Sequence, residues 1–199
     1  MVPVLFAAVE VERVFALVNS VPILTSDVEL AEVAALVPRQ VGESDDDYER
    51  AVVTALVELE LRWQDLQAAA IVQSTAVDVN AAWQAVVRRA GGEEELGRRL
   101  HALGLDQMAL RSMVRKAAVV EAYVARRFAP FVRPSADEID KIWREKLAPK
   151  LRADGKVVPP LADVREQVEA IVRERKLTDE VQRWTSELAK RAEVVRYLR

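Results

Sequence analysis

At 199 residues, with 51% hydrophobic and 31% charged residues, the chain has a foldable globular composition and room for one sizeable domain or two small ones. Only six glycines, against plentiful Ala, Leu, Glu and Arg, argue for helices and against a β-sandwich. A net charge of −3 gives no electrostatic footprint for nucleic acid, and the absence of cysteine excludes disulfides, thiol catalysis and Cys-ligated metals.

The opening "MVPVLFAAVEVER" holds an apolar stretch, Val2 to Val9, with no Lys or Arg before it. It is too short to span a bilayer and lacks the basic start of a signal peptide, so residues 1–11 read as an N-terminal tail or a signal remnant. "RVFALVN" is strand-like in length and composition. Asn19-Ser20 supplies turn chemistry, and "PILT" follows as a second strand that Pro22 confines to an edge. Ser26 and Glu29 form a capping box for a helix expected to stop before Pro38.

A polar loop, "GESDDDYER", leads into a long helix expected from about Asp46 to Ser74, with Val52, Leu56, Leu59, Trp63 and Leu66 on its apolar stripe. Asp78 or Asn80 caps the next helix, which carries Trp83, Val86 and Val87 and stops at Gly91-Gly92. A short helix follows from Glu93 to Leu103, and Asp106 caps another that runs to about Phe128. Pro130 and Pro134 break the chain, and a second capping box, Ser135 and Glu138, starts a helix through Ile139, Ile142, Trp143 and Leu147. Residues 149–160, "PKLRADGKVVPP", read as a short loop. A last long helix carries Val168, Val172, Trp184 and Leu188, and "EVVRYLR" closes the chain with β-formers.

A two-stranded ribbon is marginal alone. The fold expected is therefore mainly α, with a small antiparallel sheet made from an N-terminal hairpin (about 13–25) and a C-terminal strand (about 193–198). Residues 12–199 would then form a single core.

Four phrases, in order, resemble a known family. "RVFALVNSVPILTSDVE" resembles the opening of SurA-type periplasmic chaperones, and "GGEEELGRRLHALGLDQMALRSMVRKAAVVEAYVARRF" their central pair of helices. "VRPSADEIDKIWREKL" resembles the segment leading to the parvulin isomerase domain of the family. The stretch from Leu161 to Leu198 is similar to the C-terminal helix and strand that fold back on the N-terminal region. In relatives an isomerase domain sits where this chain has only residues 149–160, far fewer than the roughly 50 residues of a small domain. The resemblance therefore implies a non-catalytic chaperone core, periplasmic or exported. It would bind unfolded or extended outer-membrane protein clients without ATP, cofactor or isomerase activity. The alternative is a helical adaptor that recognises one folded partner.

No Walker A phrase, Gly-x-Ser-x-Gly phrase or metal-ligand spacing occurs, and His101 is the only histidine. No catalytic, cofactor or metal residue is assigned, and neither nucleic acid nor membrane insertion is expected. The candidate client-binding residues are Phe128 and Phe131, which flank the Pro130 break, with Arg126, Arg127 and Trp143. Each of the four tryptophans also sits on an apolar stripe, where core packing is the default.

Overall fold

The computed structural model describes residues 12–197. The expected tail or signal remnant at residues 1–11 lies outside them. The molecule is mainly α with one small antiparallel sheet, in the strand order β2-β1-β3. Where the sequence points to a single core over 12–199, the contacts gather into two compact units. Among the described residues the first comprises 12–120 and 188–197, and the second spans Glu121–Glu187.

In the first unit, β1 (Val14–Val18) pairs with β2 (Val21–Leu24) and with β3 (Val194–Arg196). The expected third strand is thus present over its central residues, opposite Ala16, Leu17 and Val18. Phe15, Ala16 and Val18 are buried, as the middle strand of a sheet covered on one face should be. The turn between β1 and β2 depends on Asn19, whose φ of 53° is left-handed. Its backbone N–H donates to the Glu193 carbonyl at 2.7 Å, and its Oδ1 accepts from the Glu193 N–H at 3.0 Å. Its Nδ2 donates to Gln64 at 2.6 Å, and Gln64 in turn donates to the Val18 carbonyl at 3.2 Å. One residue thus ties the hairpin, the incoming third strand and a helix together.

The outer side of β2 has an unusual property. The Thr25 N–H points inward to the Arg13 carbonyl, so alternation along the strand sends those of Leu24 and residue 22 outward. Residue 22 is proline and has no N–H, while the Leu24 N–H is taken by Asp27 Oδ2 at 2.9 Å. The edge therefore presents no unengaged donor at either outward position.

The helices of this unit are α1 (Thr25–Val33), α2 (Asp45–Ala68), α3 (Val79–Ala90), α4 (Glu93–Ala102) and the first part of α5 (Gln107–Arg127). Ser44, Asp78 and Asp106 accept hydrogen bonds from first-turn N–H groups at the starts of α2, α3 and α5. Gly91, left-handed at φ 94°, ends α3.

Three expectations need correction. The cap of the first helix is Leu24, two residues before the expected Ser26, so α1 begins at Thr25, whose N–H still bonds to the Arg13 carbonyl. Asp27, rather than Glu29, turns back to the preceding N–H. The first two helices also stop early, at Val33 rather than Val37 and at Ala68 rather than Ser74. Both end where an alanine takes a left-handed conformation, Ala35 at φ 48° and Ala70 at φ 55°. The N–H groups of Leu36 and Ile71 then close onto the carbonyls of Ala31 and Leu66, satisfying the last turn.

The second unit packs α6 (Ala136–Ile142), a π-turn over Trp143–Leu147 and α7 (Ala148–Ala153) beside the first half of α8 (Leu161–Arg191). Ile139, Val168 and Val172 are its buried centre, with Ile142, Trp143, Leu147 and Val164 packed against them. The Ser135–Glu138 capping box is present, with Ser135 N–H to Glu138 at 2.7 Å and the reciprocal bond at 3.2 Å. The loop expected over 149–160 is shorter, because Pro149–Ala153 are helical. Proline in a helix interior removes one bond and clashes with the carbonyl four residues back. Here the π-turn precedes it, with Ala148 N–H bonding back five residues to Trp143, so the widened turn accommodates the ring.

Candidate functional site

Among the described residues no helix is long and apolar enough to cross a membrane, and no three His, Asp or Glu side chains group as a metal site. Two surfaces stand out, one in each unit.

The first lies where α5 ends. Phe131 sits on the short 3-10 turn Ala129–Phe131 and is 77% exposed, while Val132 beside it is buried and anchors the turn. Phe128 is half-buried, its ring 5.5 Å from Trp184 and 6.4 Å from Tyr123 in an edge-on arrangement. Arg126 and Arg127 are exposed. The Arg127 guanidinium stands 5.7 Å from the Phe128 ring and 6.0 Å from the Phe131 ring. The break at Pro130 thus brings Phe128, Phe131 and Arg127 together, whereas Trp143 packs against the core of Ile139, Val168 and Val172.

The same unit holds a surface pair whose charge matters for stability. Lys176 donates to Glu138 at 2.8 Å and to the Arg133 carbonyl at 3.1 Å. Lys176, with help from the Ser135 N–H, holds the Glu138 carboxyl below its ordinary value. The unfolded chain then binds more protons than the folded one in the window just below that value. The contribution is complete above it and fades as pH falls through the folded pKa. Glu138→Gln should therefore flatten the acid limb of a stability–pH profile, and urea midpoints measured from pH 3 to 7 would show this.

The second surface is a groove of about 260 Å³ lined by β2, α1, α2 and α5. Val21, Ile23, Leu30, Leu56, Leu59 and Met113 form its apolar wall, and Asp27, Glu60 and Lys116 are its charged members. Glu60 is 4% exposed and accepts from Lys116 and, at 2.8 Å, from Gln64. Burial pushes the Asp27 carboxyl above its ordinary value, an effect that the Leu24 N–H and the Lys116 charge only partly offset.

Sequence reasoning missed this groove. Its strongest signal was Glu60, which falls in register with buried Val53, Leu56 and Val57 on the apolar stripe of α2. A charge on that stripe needs a partner, and Lys116 supplies it.

The remaining aromatic and titratable residues have structural settings. His101 is exposed in the last turn of α4. Trp83 is buried, with the Arg111 guanidinium 4.0 Å above its ring. Trp63 is half-buried, with the Lys116 ammonium 5.8 Å from its centre. No family model matches the chain, and no curated protein matches it either.

Proposed function

We propose that this chain binds unfolded or extended polypeptides as an ATP-independent holdase of the SurA type, without isomerase activity. Its clients would be outer-membrane proteins in transit through the periplasm. The observation that carries this reading is Phe131, a large aromatic side chain held 77% exposed on a proline-flanked turn beside Arg127. The Arg127 guanidinium stands beside the ring, which is otherwise open, so a partner that covered it would gain apolar burial. An aromatic ring beside a guanidinium suits apolar, aromatic and acidic side chains alike, which fits a binder of many segments.

Fluorescence anisotropy of a labelled, unfolded outer-membrane protein titrated with the chain tests the reading, with the folded client as control. Saturable binding of the unfolded form alone, with delayed aggregation, is expected. Phe131→Ala should weaken that binding by roughly tenfold, the size of a contact worth about 1–2 kcal/mol. Its own stability should change by less than about 0.5 kcal/mol, because the ring is exposed. Binding of neither form would sink the holdase reading and turn the search to a single folded partner.

A further inference from the structure

We propose that the groove between β2, α1, α2 and α5 is a second polypeptide site, selective for an extended apolar segment that carries one lysine or arginine. The cation would dock on Asp27. The inference rests on the holdase reading only for the occupant being an unfolded chain.

The electrostatics of the lining set the sign of the ligand. Lys116, the cation of the groove, already donates to buried Glu60. Asp27 Oδ2 accepts the Leu24 N–H, while its Oδ1 takes no hydrogen bond among the described residues. The groove therefore keeps one carboxylate in surplus, and the charge of Glu12 acts on Asp27 with the same sign. Burial already disfavours that carboxylate, and an incoming ammonium or guanidinium would relieve the penalty with a charge-assisted bond. An anionic ligand would meet the opposite field.

Size and shape set the rest. A volume of about 260 Å³ falls just below the ~300–1,000 Å³ of pockets that enclose whole small ligands. It suits one long side chain with an apolar neighbour. The wall of Val21, Ile23, Leu30, Leu56, Leu59 and Met113 would cover that neighbour and the methylene stem of the cation. Side chains would carry most of the recognition, because β2 offers an added strand no donor at Pro22 or Leu24.

The test uses a fluorescent nine-residue peptide of alternating valine and threonine with a central lysine, and analogues with norleucine or glutamate there. Asp27→Asn keeps an oxygen for the Leu24 N–H, and thermal unfolding confirms that the variant is folded. The lysine peptide should bind the wild type saturably. Binding should fall roughly tenfold with Asp27→Asn, and by a similar factor with norleucine, as expected for one lost charge-assisted bond. The glutamate peptide should bind more weakly still, and Phe131→Ala should leave the lysine peptide unaffected.

Equal binding of the lysine and norleucine peptides, indifference to Asp27→Asn, or no binding of the lysine peptide would each overturn the proposal. Because norleucine alters only the peptide, that comparison holds whatever Asp27→Asn does to the fold. Unfolded client binding that persists alongside any of these results would leave the holdase reading standing. Loss of client binding with the lysine peptide still selective would do the reverse.

Discussion

Replacing Asn19 by alanine should lower the stability of the chain by about 2–4 kcal/mol, measured as a shift in urea midpoint at constant slope. Two losses add. Alanine at φ 53° carries the steric penalty of a left-handed residue, roughly 1–2 kcal/mol. The side chain also stops accepting the Glu193 N–H and donating to Gln64. Those groups are exposed enough for water to replace part of what is lost, which keeps the total from rising further. Asn19→Gly separates the two causes, since glycine accepts the left-handed turn at little cost and loses only the bonds. It should be destabilised by clearly less than the alanine variant. Equal effects of the two would show that backbone conformation is not what asparagine supplies at this turn.

Lys116→Met should cost about 2–3 kcal/mol, somewhat below the 3–5 kcal/mol expected when a fully buried ion loses its partner. The discount reflects geometry. Glu60 is 4% exposed and loses its cation, but Gln64 still donates to it at 2.8 Å, and the lysine side chain was itself 29% exposed. The decisive comparison is the double variant Glu60→Met with Lys116→Met. An apolar pair of similar volume removes both charges and both desolvation costs, so it should recover most of the loss or exceed the wild type. If the double variant were as unstable as the single one, the pair would be stabilising in its own right rather than a charge accommodated by its partner.

The parts of the fold legible in the sequence were those governed by local chemistry. Asp78 and Asp106 announce helix starts through their side-chain oxygens, and Gly91 announces a stop through its missing Cβ, whereas the Ser44 cap of α2 was passed over for the aspartates beside it. The meeting of β1 with β3, which are separated by most of the chain, followed from a negative argument: a hairpin alone is marginal, and one β-forming run remained. Ala35 and Ala70 were illegible as stops because alanine is the best helix former and an unusual left-handed residue. Only the tertiary setting imposes that conformation. Helical Pro149 was hidden for a related reason, since its cost is absorbed by a π-turn that leaves no residue signature.

The candidate surfaces divide in the same way. Phe128, Phe131 and Arg127 are close in sequence, so a proline break was enough to bring them to attention. Trp143 carried a different signal, an aromatic on an apolar stripe, and it packs against the core of Ile139, Val168 and Val172. Periodicity marks the inner face of a helix without saying how completely it is covered. The groove draws on four elements, from Val21 to Lys116, and such a surface exists only once the chain has folded. The charge of Glu60 on the α2 stripe showed that something unusual happens there, but not what it faces.

The outer side of β2 bears on how the sheet meets other strand-forming chains. Nascent β-rich chains recruit whatever strand edge they meet, and each recruited strand exposes a fresh edge for the next. Growth of that kind draws on the template's outward donors as well as its acceptors. At β2 a proline ring occupies one outward position, and the side chain of Asp27 has taken the donor at the other. On this side the sheet withholds the donors by which a further strand would be drawn onto it.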